Sequence, residues 1–519
     1  MMGPRQTNRP KLFYTGFNLE ERIRSDHPLR KISAAVDFNF VRLRVKSLYG
    51  RRGNPSVDPA VLLKLMFLLF YENVPSERAL MERLPERLDW LWFCGYDLED
   101  PIPDHSVLSK GRRRWGKAVF EEFFQRILRQ CVEAGLVDGT VVHIDSSMIA
   151  GNAGKDKLQV YLRGVAGAVY EQLDRAEDAA DPDFPAALNV SSASAPFAEG
   201  SPQSEGSISE TPKPGQRITP VDPDARLGSK GGRSTLGYKD HRAVDDRCGI
   251  ITATVTTPAN VADEQMLMEA IETHEANTDM QVETACTDKI YGTGANYKAL
   301  QERGITPCIP HKAKNCHVEP AFANDRFTYD EAADECICPA GQRLRRKRLD
   351  PDKNAVIYQA PREVCRACIF LARCVLSQTA GRRVSRNLND PYTAWADGCL
   401  SPGARKRLLG RRKAKVEGSF ADAANNHGFK RARWRSLLKV TIQNLLIAAM
   451  QNLRKLLKAA GSPPKLGQSG FSAARHDRGR DFFIHPTILC DPLGRVGSIP
   501  RLSGFLNIRK AGSIWATRP

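Results

Sequence analysis

The order of apolar runs and turn signals between residues 141 and 309 constrains the fold of this chain more than any other feature. A short apolar run ends in Asp145 and predicts a buried strand. Two strand-like runs joined by Asp-Asp-Arg-Cys-Gly, a hairpin signal, come next. A helix, a third apolar run, a second helix and a last strand follow, which predicts an α/β domain with a mixed sheet. The apolar runs are residues 141–145, 238–244, 250–256, 282–286 and 305–309.

The charge of the chain indicates a polyanionic partner. Its 77 Lys and Arg residues outnumber 59 Asp and Glu residues, which gives a formal net charge of +18. Residues 401–460 contribute +13 of that excess, from 15 Lys and Arg residues against two acids. A surface this basic most often binds nucleic acid. The chain has no apolar run of about 18 residues and no apolar leader, so we expect a cytoplasmic protein without a membrane span.

Residues 1–130 have the pattern of a small helical domain. Asp58 and Ser76 are positioned to cap two of its helices. Residues 105–117 carry five basic residues and predict a helix whose cations bind DNA phosphates. A solvated basic face without DNA contacts is the alternative. The predicted DNA-binding residues of this helix are Lys110, Arg112, Arg113 and Arg114.

Composition divides the rest of the chain into an α/β core and its insertions. One insertion is rich in Ser, Pro, Gly and Asp, which predicts disorder because such a segment cannot bury a core. A second insertion is rich in Cys, and a basic helical segment after it completes the core. The tail has no assignable role. The boundaries are 135–177 and 230–310 for the core, 178–229 and 311–400 for the insertions, 401–460 for the basic helices and 461–519 for the tail.

The cysteines of the second insertion suggest a zinc site. Thiolates at two-residue spacing suit tetrahedral Zn²⁺, and a structural zinc ion would stabilise a segment that lacks a core of its own. The spacing of a zinc ribbon is absent, so free reduced thiols remain the alternative. The candidate zinc ligands are Cys336, Cys338, Cys365, Cys368 and Cys374.

Three acids lie where a second kind of metal site could form. Asp145 ends the first strand, Asp288 follows a later strand, and Glu417 lies on a basic helix. Strands that end at one sheet edge can bring two acids together, and a helix across that edge can add the third. Three carboxylates can hold two Mg²⁺ or Mn²⁺ ions, which activate an attacking oxygen and stabilise a leaving oxygen of a phosphodiester. Surface acids or helix caps are the alternative, since the chain has 59 acids.

Short motifs in a fixed order connect these acids to a known family. Asp145 lies in VVHIDSSMIAGNA, Asp288 in ACTDKIYGTGANY and Glu417 in RRKAKVEGSFADAANNHG. DHSVLSKGR precedes the first of these motifs, and GYKDHRAVDD lies between the first and the second. QNLLIAAMQNLRKL closes the series. Together these motifs resemble the DDE-type transposases of bacterial insertion sequences, over roughly residues 10–175 and 230–458.

The resemblance implies a helical N-terminal DNA-binding domain followed by an RNase H-like catalytic core. It implies that Asp145, Asp288 and Glu417 are catalytic and bind two Mg²⁺ or Mn²⁺ ions. The implied enzyme binds the ends of an insertion sequence and catalyses DNA strand cleavage and strand transfer. It would act as a homo-oligomer on double-stranded DNA, in the cytoplasm and associated with the nucleoid. The phosphate-binding residues predicted around Glu417 are Lys413, Lys415, Lys430, Arg431, Arg433 and Arg435.

The chain departs from the family pattern around Glu417. The family often has Tyr seven positions before its Glu, Arg four before it and a basic residue seven after it. Here those positions are Gly410, Lys413 and Ala424. Lys413 can hold a phosphate as a point charge but not in a bidentate manner. Two other functions therefore stay open: a DNA-binding descendant that has lost catalysis, and an RNase H-like nuclease that acts on RNA–DNA hybrids.

Overall fold

The computed structural model of the chain describes most of the N-terminal region, the α/β core and the Cys-rich segment. The tail after residue 460 and most of the Ser/Pro-rich insertion lie outside the described residues. The described residues are 1–3, 18–50, 52–155, 158–160, 217–310, 319–351, 354–375 and 380–460.

The N-terminal region is helical, as predicted. Asp58 caps helix α4 (Pro59–Tyr71) by accepting a hydrogen bond from the Ala60 N–H at 3.0 Å. Ser76 caps helix α5 (Glu77–Arg83) by accepting one from the Ala79 N–H at 3.1 Å. Helix α4 is buried on nearly all sides, so the other helices surround it. The helices are α1 (Leu19–Arg22), α2 (Pro28–Ala35), α3 (Phe40–Val45), α4 (Pro59–Tyr71), α5 (Glu77–Arg83), α6 (Leu88–Cys94), α7 (Ser106–Trp115) and α8 (Ala118–Glu133).

The main sheet has the mixed pairing that the sequence predicts. Strand β1 pairs antiparallel with β5, and β5 pairs antiparallel with β4 and β6. On the other side of β1, β7 and β8 run parallel to it. The spatial order is therefore β6-β5-β1-β7-β8, with β4 beside the first part of β5. The strands are β1 (Val141–Ala150), β4 (Arg226–Lys230), β5 (Arg233–Asp245), β6 (Ile251–Pro258), β7 (Thr284–Cys286) and β8 (Thr306–Cys308).

Helices cover both faces of this sheet. On one face, α9 (Leu267–Thr278) and α10 (Gly294–Glu302) enclose an apolar core with Val142 and Ile144 of β1. On the other face, the predicted basic helices are α14 (Pro402–Arg412), α15 (Gly418–His427) and α16 (Leu437–Ala460). Helix α16 packs against β6 and against α8 and α4 of the N-terminal region. The main sheet and the N-terminal helices therefore share one core.

Residues 217–229 correct the predicted boundary of the disordered insertion. Strand β3 (Arg217–Ile218) pairs with β2 (Gln159–Val160), and β4 begins at Arg226. Asp222 is fully buried and accepts hydrogen bonds from the Tyr238 hydroxyl at 2.5 Å and from the Ser436 N–H at 2.9 Å. The polar composition of this segment suggested disorder, but its polar groups are bonded inside the fold. Residues 178–216, the remainder of the predicted insertion, lie outside the described residues, as do residues 161–177 of the predicted core.

A second, smaller sheet follows the main one. Its strands pair antiparallel in the order β13-β12-β11-β10-β9. Six side chains form its buried cluster: Cys336, Leu344, Val356, Tyr358, Ala360 and Val384. The strands are β9 (Thr328–Asp330), β10 (Glu335–Ile337), β11 (Arg343–Asp350), β12 (Ala355–Gln359) and β13 (Arg383–Asn387), with helices α11 (Arg362–Arg366), α12 (Leu371–Cys374) and α13 (Asp390–Gly398).

Candidate active site

Strand β1 places Asp145 on the polar face of the main sheet. Successive side chains of a strand point to opposite faces. Val142 and Ile144 enter the core under α9, so His143 and Asp145 lie on the face covered by α14 and α15. The Asp145 side chain is 15% exposed. It is therefore largely shielded from bulk water. Asp145 lies in the middle of β1, which continues to Ala150, and not at the end of the strand as the sequence predicted.

Asp288 lies next to Asp145 across the β1–β7 pairing. Three residue pairs fix the parallel register, and continuing it by two residues places Asp288 opposite Asp145. Neighbouring strands lie about 4.8 Å apart, and residues in register share a face. Both carboxylates also act on one group: burial raises the pKa of Tyr291, and the charges of Asp263, Asp145 and Asp288 raise it further. Asp145 and Asp288 are thus both close enough to Tyr291 for their charges to raise the pKa of its hydroxyl.

Glu417 lies in a π-helical turn above this face. Helix α14 continues into α15 through Lys413–Glu417, a π-helical segment whose Val416 is buried. Such turns interrupt α-helices and are frequent at functional sites. The segment packs on β1 and β5. The Glu417 side chain is 49% exposed, so its carboxylate is free to meet a ligand.

Arg412 connects two of the predicted acids. Its Nη1 donates to Asp145 Oδ2 at 3.0 Å, and its Nη2 lies 3.9 Å from Glu417 Oε1. The Arg412 side chain is only 13% exposed. A single cation therefore lies between a carboxylate of the strand and a carboxylate of the helix, although the two partners Asp145 and Arg412 are 267 residues apart in sequence.

The sequence pattern indicated Lys413, and not Arg412, as the basic residue that accompanies Glu417. Counting four positions back from Glu417 assumes an α-helix, in which residues four apart share a face. A π turn closes i→i+5 hydrogen bonds and so adds one residue to the turn. The residue that meets Glu417 is therefore five positions before it, while Lys413 is exposed. Nothing in the residue pattern marks the position of a π turn.

The three acids suit a divalent cation in their chemistry. Carboxylate oxygens are the hard ligands that Mg²⁺ and Mn²⁺ prefer. The space between Asp145 and Glu417 already holds a positive group, the Arg412 guanidinium. In the described part of the chain, no three His, Cys, Asp or Glu side chains form a group that could hold a metal ion. The described structure therefore contains no preassembled cage of the three acids.

A second ionic group borders the acids and is structural. His143 Nε2 lies 2.8 Å from Asp246 Oδ1, and Arg411 pairs with the other oxygen of Asp246. His143 is fully buried, and burial lowers its pKa. Its imidazole is therefore neutral at pH 7 and fastens β1 to the turn after β5.

The predicted DNA-binding cations of α7 divide into two kinds. Arg113 and Arg114 are exposed, and Lys110 is half-buried. Arg112, in contrast, is 3% exposed, pairs with Glu77 and lies with its guanidinium carbon 3.8 Å from the centre of the Trp434 ring. The prediction for Arg112 is corrected: the side chain joins the N-terminal helices to the segment after α15.

The cations after α15 divide in the same way. Lys430 and Arg431 are exposed, and the backbone of this segment pairs with Ala150 at the end of β1. Lys430 Nζ donates to Ser147 Oγ at 2.7 Å, which places its charge two residues from Asp145. Arg435 is exposed, with its Nε donating to the Asn152 carbonyl at 3.2 Å.

Arg433 is a further correction to the predicted DNA contacts. Its guanidinium donates to the Leu69 carbonyl and to Asn73 Oδ1, both at 2.7 Å, and lies over the Phe70 ring. Burial lowers its pKa to about 10. Arg433 therefore fastens the segment to α4 instead of facing solvent.

Four of the five candidate zinc ligands surround one small space. Cys338, Cys365, Cys368 and Cys374 line a cavity of about 30 Å³ beside the small sheet. Backbone N–H groups donate to two of the sulfurs, from Gln342 to Cys338 at 3.3 Å and from Arg382 to Cys365 at 3.4 Å. The fifth, Cys336, lies in the buried cluster of the sheet. Cys336 therefore does not line the cavity, although Cys338 and Cys365 pack against the cluster that contains it.

Comparisons with known families agree on one assignment. Residues 17–114 match the model of a transposase domain of the DUF772 type. Residues 337–457, which include Glu417, match the model of a transposase DDE domain. A search of curated proteins found no match. No helix among the described residues has the length and apolar character to cross a membrane.

Proposed function

Because the chain belongs to the DDE-type transposases of insertion sequences, we propose that it binds the ends of its element and cleaves and transfers DNA strands there. DNA is the partner that both matched domains imply. We assign the catalytic role to Asp145, Asp288 and Glu417. Two observations support this assignment: the β1–β7 register, continued by two residues, places Asp288 opposite Asp145, and Arg412 connects Asp145 to Glu417.

The strand order supports an RNase H-like core. A three-stranded antiparallel unit, β6-β5-β1, is extended by two parallel strands that each follow a helix. This arrangement puts the middle of β1 beside the C-terminal end of β7, and the π turn with Glu417 packs on β1. The fold assignment is thus an inference from topology, and it accounts for why the acids come from three distant segments.

In this proposal the three carboxylates hold divalent metal, which when bound activates an attacking oxygen and neutralises the leaving oxygen. Asp145, within the sheet, and Asp288, two residues after β7, would form one side of the site. Glu417 closes the other side from the π turn. Arg412 holds the carboxylates of Asp145 and Glu417 in place. Its ion pair with Asp145 would have to break before both oxygens of the Asp145 carboxylate could bind metal. Lys430, held beside Asp145 through Ser147, is placed to contact a phosphate.

The experiment is strand cleavage of a duplex that carries the element end, with Mn²⁺ and full-length protein. Asp145→Asn, Asp288→Asn and Glu417→Gln should each reduce cleavage at least about 10³-fold, because each removes a metal-binding charge. Duplex binding should persist in all three. Glu283→Gln, which alters an exposed acid just before β7, is the matched control and should cleave normally. Binding without any cleavage by the unaltered chain would favour the inactive descendant, and preference for RNA–DNA hybrid would favour the nuclease.

We also propose that Cys338, Cys365, Cys368 and Cys374 bind one structural Zn²⁺. Four sulfur donors suit tetrahedral zinc, and the two N–H···S bonds would stabilise thiolates. The four thiols do not form a metal cluster in the described structure, so binding would draw them inward by closing the cavity. Pairing of two element ends by a homo-oligomer, on DNA in the cytoplasm, is a further part of the proposal and follows from the family alone.

A further inference from the structure

A basic groove lies beside Glu417 on the next face of the same helix. It has a volume of about 360 Å³ and lies between α15, α16 and the turn that joins β5 to β6. Lys415 and Gly418, which flank Glu417 in sequence, both line it. Three further cations come from α16. The basic residues of the groove are Lys415, Arg454, Lys455 and Lys458.

The positive charge in this groove exceeds the negative charge available to balance it. Asp422 is the acid that lines it, and Asp422 already accepts from Arg454 at 3.0 Å and from Gln451 at 2.7 Å. Lys415 Nζ donates to the Arg247 carbonyl at 3.2 Å, and Lys455 Nζ donates to a carbonyl of the same turn. A carbonyl oxygen carries only a partial charge, so these two ammonium groups are hydrogen-bonded but not neutralised.

The backbone of the turn leaves space for both lysines at Gly249. Gly249 adopts a positive φ of 69°, which glycine tolerates and other residues rarely adopt. A Cβ at this position would lie 3.1 Å from Lys415 Cδ and 3.5 Å from Lys455 Nζ. The absence of a side chain thus lets Lys415 pack closely against the turn, beside Lys455. Burial lowers the pKa of Lys455 to about 8; the Asp422 charge opposes this shift, and the Lys415 and Arg242 charges add to it. An anion would relieve this crowding of positive charge.

We propose that this groove binds backbone phosphate of the DNA strand that passes Glu417. The inference rests on the proposed function and adds residues that the motifs did not identify, namely Arg454, Lys455 and Lys458. Ammonium groups bind phosphate without reading sequence, so the groove would hold the strand in place for cleavage and contribute no sequence preference. Lys415 and Lys455, now bonded to carbonyls, would exchange those weak partners for a phosphate oxygen.

The test is duplex binding by full-length Lys455→Gln/Lys458→Gln in an Asp145→Asn background with EDTA, measured by fluorescence anisotropy over a range of salt. We expect affinity to fall about tenfold and the log–log salt slope to flatten by about one to two units, since each lost phosphate contact removes about 0.9. The matched control is Lys298→Gln/Lys347→Gln, which removes two exposed lysines on other elements and should change neither quantity comparably. Because cleavage is absent by design, the result does not depend on the proposed catalytic role.

Three outcomes would overturn the proposal. One is a log–log salt slope of duplex binding that is the same for the groove variant and the control variant. Another is stabilisation of the unaltered chain by inorganic phosphate with normal duplex binding in the groove variant, which would assign the groove to a free anion. The third is a groove variant that loses binding to single-stranded RNA of the same length but binds the DNA duplex normally. A thermal melt confirms folding, and it should stay at or above the unaltered value because the variant removes a crowded charge.

Discussion

The main sheet and the small sheet of this chain are both largely antiparallel, yet they are stabilised differently. The main sheet is covered by helices on both faces, and its charged groups are paired within it. The small sheet has a buried cluster of only six side chains, and all four arginines of β11 are exposed. At the end of the small sheet, four thiols line a small cavity together with apolar side chains. The comparison indicates that burial stabilises the first sheet and that a bound ion is expected to stabilise the second.

The largest expected effect comes from an arginine inside the main sheet. Arg242 and Asp240 are fully buried and joined at 2.7 Å, so Arg242→Met leaves an unpaired buried carboxylate. We expect a loss of about 3–5 kcal/mol in unfolding free energy, measured by denaturant titration. The corresponding change in the small sheet, Arg343→Met, alters an exposed pair and should leave the midpoint nearly unchanged. Equal losses in both variants would remove the distinction between the sheets.

The second prediction concerns the thiols. Protein purified without added metal should contain about one zinc per chain, and Cys365→Ser should lose it, because three thiolates hold zinc less well than four. Hydrogen exchange should then accelerate in β9 to β13 and stay slow in β1 and β5. Cys336→Ser is the control, since Cys336 does not line the cavity that the other four thiols share. Zinc content that survives in Cys365→Ser, or falls only in Cys336→Ser, would contradict the four-thiol site.

The third prediction is smaller and concerns Arg412. Arg412→Gln removes the cation between Asp145 and Glu417 and should cost about 1–2 kcal/mol without metal. Millimolar Mn²⁺ should stabilise this variant more than the unaltered chain, because metal no longer competes with a guanidinium. Arg411→Gln is the matched neighbour, whose partner is Asp246. Equal Mn²⁺ shifts in Arg411→Gln and Arg412→Gln would show that Arg412 does not occupy the metal-binding region.

The smallest effect is expected for a deletion. Removing residues 181–210 should shift the melting temperature by less than about 2 °C, since so polar a segment buries little apolar surface. Extending the deletion to 225 should destabilise the protein clearly, because it removes the buried Asp222 and its bonds to Tyr238 and Ser436. A large shift from the shorter deletion would mean that this segment packs on the core.

The sequence predicted the features that repeat along the chain. Apolar periodicity identified the N-terminal helices, and the runs ending near Asp145 and Asp288 identified the strands that bring these acids together. Caps such as Asp58 were predictable because their chemistry is local.

Features that depend on tertiary packing were not predictable. The burial of Arg112 against Trp434 depends on a contact between distant segments, so the charge of Arg112 gave a misleading signal. Arg412 was missed because a π turn shifts the helix face by one residue. The order in residues 217–229 was missed because it depends on buried hydrogen bonds and on a few apolar side chains, such as Ile218 and Ala225, within a mostly polar segment.

The most direct test of the central claim is to map the metal site chemically. Fe²⁺ bound in place of Mg²⁺, with ascorbate and peroxide, cuts the polypeptide near the ion, and mass spectrometry locates the cuts. If Asp145, Asp288 and Glu417 share one metal site, cuts should cluster near all three residues in the unaltered chain and disappear in Asp145→Asn. Cuts near Asp145 and Asp288 without any near Glu417 would contradict the claim that the π turn supplies the third ligand.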